Sequence, residues 1–87
     1  MPEYIVLSTL AVDRGLLAPY RSEHMKYMAD LKAAGKIRMA GRFTDGGGGF
    51  YILVCGTLEE AKGLADADPY HAHGLRGYVL REWQQTF

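Results

Sequence analysis

An α+β fold of element order βαββαβ is what this 87-residue sequence predicts. Three observations lead there. Residues 4–10 and 50–55 are runs of β-branched and aromatic side chains. Residues 17–34 place their apolar side chains at helical spacing. A Thr57-x-x-Glu60 pair opens a second helical segment after the third strand. Strands and helices alternating in this order form the ferredoxin-like, split βαβ arrangement. In it, a four-stranded antiparallel sheet carries both helices on one face.

Each element has its own local cause. Tyr4 to Leu10 reads as a buried strand and ends at the polar break Asp13-Arg14-Gly15. Leu17, Tyr20, His24, Tyr27, Met28, Leu31 and Ala34 share one helical face. Pro19 fits only the first turn of that helix, so its regular part is expected to begin near it. Gly35 is expected to cap the other end, with Lys32 and Lys36 near the negative end of the dipole. Ile37, Met39 and Phe43 alternate with Lys36, Arg38 and Arg42 as a half-buried strand. The reversing loop Asp45 to Gly49 leads into an antiparallel partner strand from Phe50 to Cys55. The second helix buries Leu58, Ala61, Leu64 and Ala65 and stops at Asp68-Pro69. Residues 78–87 read as the last strand.

Length and composition bound what such a fold can do. With 48% hydrophobic and 23% charged residues the chain is a globular protein, read as one domain over residues 1–87. Ten basic and ten acidic residues give zero net charge, which removes the basic excess of a nucleic-acid binder or a membrane-surface protein. No apolar run reaches the length of a membrane span, and the start lacks the basic region of a signal peptide. The single cysteine, Cys55, excludes a disulfide within the chain and suggests a reducing, cytoplasmic setting. A chain this small buries a marginal core. Its strands carry apolar residues on both sides, so the uncovered sheet face is expected to meet a second copy. The expectation is a homodimer or higher homo-oligomer, closed as an α+β barrel.

Several residues could carry chemistry. His24 reads either as a core histidine with one hydrogen-bond partner or as a general acid/base at the core edge. Arg21, one turn earlier, is a solvated helix residue or a clamp for a substrate oxygen. Asp68 before Pro69 reads as an N-cap for the turn Tyr70-His71-Ala72-His73, or as the carboxylate that orients His24. Both can hold at once. His71 and His73 have metal-ligand spacing but fall in a turn without further ligands, so they read as a solvated loop, and no metal is expected. The glycine run lacks the context of a phosphate loop and reads as a loose hairpin, or as a lid over a pocket. Cys55 reads as core.

In order, these motifs resemble the YCII (YciI-like) family. Residues 21–28, Arg-Ser-Glu-His-Met-Lys-Tyr-Met, are similar to its R-x-x-H-L-x-y-L helix. Residues 36–41, the Asp45-Gly46-Gly47-Gly48 loop, Glu59-Glu60-Ala61, residues 66–70 and Gly74-Leu75 resemble its later segments. The resemblance implies a dimeric α+β barrel with a His–Asp pair in a pocket, here His24 and Asp68. It also implies kinship with muconolactone isomerases in fold and with dehydrochlorinases of chlorinated hydroxyhydroquinones in activity. Arg42 stands where the family often has Pro, and reads either as an extra cation at the pocket rim, suited to a phenolate or carboxylate substrate, or as a solvent-facing strand residue. The expected function is a cofactor-independent lyase or isomerase acting on a small hydroxylated aromatic or quinone-like substrate. In it, His24 and Asp68 are catalytic, and Arg21, Arg42 and Tyr70 bind substrate. A muconolactone-isomerase-like activity, a non-catalytic ligand-binding module and haem binding are the other readings.

Overall fold

The computed structural model describes residues 1–87. Its sheet comprises β1 (Glu3–Leu10), β2 (Ile37–Arg42), β3 (Gly48–Val54) and β4 (Arg76–Trp83). The spatial order is β2-β3-β1-β4, and every neighbouring pair is antiparallel. Helices α1 (Arg21–Ala33) and α2 (Leu58–Asp66) and the single turn α3 (Pro69–Ala72) complete the ferredoxin-like α+β fold.

Alternation along the strands sorts the side chains. Tyr4, Val6 and Ser8 of β1 and Tyr51 and Leu53 of β3 are buried on one face, together with Cys55 just beyond. There they join Met28 and Leu31 of α1 and Ala61 and Ala65 of α2 in the main core. A smaller cluster of Leu17, Tyr70 and Leu75 closes the end of the core near α3. On the opposite face Leu7, Met39, Val79 and Trp83 are exposed, and no element of the chain covers them.

The local signals act as the sequence indicates. Gly35 adopts φ 71°, and the Lys36 N–H reaches back to the Leu31 carbonyl at 2.9 Å, closing α1. Thr57 Oγ accepts from the Glu60 N–H at 3.1 Å. The return bond comes from the Gly56 N–H to Glu60 Oε1 at 3.2 Å, one residue earlier than a regular capping box.

Five boundaries and one loop differ from the sequence expectation. The segment Arg14–Tyr20 is a 3-10 helix, and α1 begins only at Arg21. Pro19 has no N–H to donate, so the chain keeps tighter turns until past it. β2 ends at Arg42, because the Phe43 N–H turns inward to close the hairpin on the Gly48 carbonyl. β3 begins at Gly48, where it already pairs with Thr9. β4 runs from Arg76 to Trp83, not from Tyr78 to Phe87, because β1 offers partners only from Leu10 back to Glu3. The glycine hairpin is packed, not loose. Asp45 accepts the Gly47 N–H at 2.8 Å, and Gly48 and Gly49 are buried.

Gly48 holds φ 145°, and a Cβ there would lie 2.0 Å from the Ser8 carbonyl oxygen. Gly48→Ala is therefore expected to cost about 2 kcal/mol or more in urea unfolding. Gly63→Ala, mid-helix in α2 with nothing within 4 Å, is expected to add about 0.5–1 kcal/mol. Equal effects of the two substitutions would contradict this account of the hairpin.

Candidate functional site

Asp68 sits where α2 gives way to α3. Its Oδ1 accepts the Tyr70 N–H at 3.0 Å, which makes it the N-cap of α3 ahead of Pro69. The same oxygen accepts His24 Nδ1–H at 2.8 Å, and Oδ2 accepts the Tyr51 hydroxyl at 3.1 Å. Capping and orienting thus coexist in one carboxylate that is only 1% exposed. Burial alone would push its carboxyl up. The hydrogen bond from His24, the histidine charges and the Tyr70 N–H together hold it below the ordinary carboxylate range. The Tyr51 hydroxyl is pushed up, chiefly by burial and then by the Asp68 charge, so it stays a proton donor.

His24 comes from the first turns of α1. Its Nδ1 is committed to Asp68, and its ring stacks on Tyr70 with centroids 4.0 Å apart and planes 13° apart. Nε2 has no protein partner. The ring borders a cavity of about 300 Å³ between α1, β2, β3 and the start of β4. Arg21, Arg42, Tyr70 and Arg76 line it with Met25, Met28, Phe50 and Tyr51. A pocket of this size suits a single-ring compound. Its apolar walls hold a ring, an imidazole with one free nitrogen can accept or deliver a proton, and guanidinium groups can meet negative oxygen.

All five residues singled out from the sequence as catalytic or binding groups therefore come together. His24 and Asp68 are in direct contact, and Arg21, Arg42 and Tyr70 line the same cavity as His24. Tyr70 is 4% exposed, with the Arg76 guanidinium 4.6 Å from its ring centroid. Its ring thus seats His24 and Arg76 at the cavity wall. Three residues were missed. Tyr51 and Arg76 sit at inward-facing strand positions, and the signal that could have found them is a polar group on the covered face of an alternating strand.

His71 is the third and corrects the solvated-loop reading. Its side chain is 3% exposed, with Nδ1–H donating to the Ala65 carbonyl and Nε2 meeting Ser8 Oγ, each at 2.7 Å. A turn that folds back over the sheet buries what a free turn would expose. His73 stays exposed and packs on Tyr20, with centroids 4.3 Å apart. Cys55 is buried, and burial pushes its thiol up, as befits a core residue.

Fold and site together define a ferredoxin-like α+β domain with a buried His–Asp pair at the edge of an arginine-lined cavity. A YCII-related domain is matched over residues 8–84, and the chain belongs to that family. An uncharacterized protein of Bacillus subtilis (strain 168), YjpA, is 34% identical over 61 residues, covering 70% of this chain and 72% of the relative. Among solved structures, the 5-chloro-2-hydroxyhydroquinone dehydrochlorinase TftG from Burkholderia phenoliruptrix AC1100, in complex with 2,5-dihydroxybenzoquinone, superposes with a TM-score of 0.80. It covers 98% of this chain and 95% of its own at 22% identity, a likeness of fold. No helix is long and apolar enough to cross a membrane.

Removing the Asp68 carboxylate leaves His24, the Tyr51 hydroxyl and the Tyr70 N–H without their acceptor. Asp68→Ala is expected to lose about 3 kcal/mol in urea unfolding. The depressed carboxyl sets the pH dependence. Its stabilisation is fully present above the unfolded value near ~4 and is lost as pH falls through the folded value. The stability gap between wild type and Asp68→Asn should therefore narrow below about pH 4. A gap constant from neutral pH into acid would show that the carboxylate charge contributes nothing.

Proposed function

We propose that this protein is a small cofactor-independent enzyme that moves protons on a hydroxylated aromatic or quinone-like compound. Loss of HCl from a chlorinated hydroxyhydroquinone is the reaction that fits best. One observation carries the reading: His24 is pinned at Nδ1 by a buried carboxylate and stands with Nε2 unpartnered at the wall of a ring-sized, arginine-lined cavity. The shared fold with a dehydrochlorinase supports it.

The chemistry follows from those groups. His24 Nε2 takes the proton of a ring hydroxyl while Asp68 stabilises the imidazolium that results. Arg21 and Arg42 offset the charge that develops on the substrate oxygen. The electron pair released at oxygen moves into the ring, and a ring carbon takes up a proton to give the keto tautomer. Loss of a second proton and of chloride from that tautomer yields the quinone. One hydrogen and one chloride leave, so no oxidant is required.

His24→Gln keeps a polar side chain of similar reach but cannot cycle a proton. It is expected to lower turnover by about 10²–10⁴-fold, followed as quinone absorbance and released chloride, with the fold intact by circular dichroism. Turnover at the wild-type rate in that variant would sink the mechanism. Proton transfer without chloride release would mark an isomerase. Binding without any product would mark a ligand-capturing module.

The uncovered sheet face bears on assembly. We infer that Leu7, Met39, Val79 and Trp83, all exposed on that face, seat a second copy of the chain to close a two-sheet barrel. Sedimentation velocity should show a dimer for the wild type and a shift to monomer for Leu7→Glu. A monomeric wild type at micromolar concentration would refute it.

A further inference from the structure

The chain carries no net charge, yet its cations are not evenly spread. Four of its six arginines, Arg14, Arg21, Arg42 and Arg76, surround two adjoining cavities beside His24. The second cavity, about 350 Å³, shares Arg21, Arg42, Tyr70 and Arg76 with the first and adds Arg14 and the glycine hairpin. No Asp or Glu lines either one. The chain's ion pairs lie elsewhere and engage Lys26, Lys36, Arg38 and Lys62, besides the histidines at Asp68. Arg76 is half-buried with its Nε bonded to nothing, and burial lowers its guanidinium from the ordinary value.

The glycine run makes room for this cluster. A Cβ on Gly46 would lie 2.1 Å from Arg14 Nη1, and one on Gly49 would lie 3.1 Å from Arg76 Nη1. Gly49 is also the cross-strand partner of Arg42. The hairpin thus makes room for the Arg14 and Arg76 guanidinium groups, and Arg42 lines the same cavity. The acidic charge that acts on Arg76 is that of the buried Asp68, already bonded to His24, Tyr51 and the Tyr70 N–H. Guanidinium groups gathered at a cavity without an acidic lining favour an anion, which they recognise by shape as well as charge.

We propose that Arg14, Arg42 and Arg76 form an oxyanion subsite for a carboxylate or phosphate group, so the ligand is an anionic compound whose ring reaches His24. This narrows the hydroxylated aromatic of the proposed function to one that bears an anionic group besides its hydroxyls, so the chlorinated hydroxyhydroquinone stands for the ring chemistry alone. It rests on that reading for the ring's fate, but not for the anion. Calorimetric titration with 2,5-dihydroxybenzoate, hydroquinone and inorganic phosphate tests it on the full chain. The carboxylate compound should bind at least tenfold tighter than hydroquinone in the wild type and in His24→Gln alike. The preference should vanish in the Arg14→Gln/Arg42→Gln double variant, whose replaced side chains are exposed and leave the fold intact. Competition by phosphate would support a subsite that accepts a phosphate group, and preference for the carboxylate without such competition one that selects a carboxylic acid. Equal binding of 2,5-dihydroxybenzoate and hydroquinone, or a preference that survives the double variant, would overturn the subsite. Anion binding retained together with full turnover by His24→Gln would instead remove the acid/base reading and leave the subsite standing.

Discussion

Everything at this site hangs on the buried carboxylate of Asp68. An anion taken out of water costs several kcal/mol unless donors replace its hydration. Here the donors come from three parts of the fold: His24 of α1, Tyr51 of β3 and the Tyr70 N–H of α3. His71 Nδ1 stands a further 3.9 Å away. The same contact that joins helix to sheet also sets the ring of His24. Core packing and site geometry are thus one interaction, and the side chain that orients the imidazole cannot move without loosening the layers.

A second constraint is the placement of charge. Lysines pair with carboxylates at the surface, as in Lys26 with Asp30 and Lys62 with Asp66 one helical turn apart. Four of the five arginines without an ion pair collect instead at the cavities, and glycines at 46 and 49 leave space that any Cβ would take. The hairpin that looks like low-complexity sequence is therefore a packing device, with Gly48 seated against the backbone of β1.

The site was only partly legible in the sequence. His24 stood out because a titratable ring interrupted an apolar helical stripe. Asp68 stood out because Asp before Pro is a capping signal, and its second role needed only a partner. Tyr51 and Arg76 were hidden, because what they touch is set by strand register across the sheet, which no local pattern encodes. His71 was misread because burial of a turn depends on what it folds against.

Alternation, helical spacing and caps by themselves determined the order of elements, the end of α1 at Gly35 and the start of α2 at Thr57. These signals act over a few residues, so they can be read in a linear chain. Only the tertiary structure decided that β4 stops where β1 runs out of partners, and that His24, forty-four residues from Asp68, donates to it at 2.8 Å. Those outcomes depend on contacts between segments distant in sequence, whose pairing is settled by the common burial of one face of the sheet.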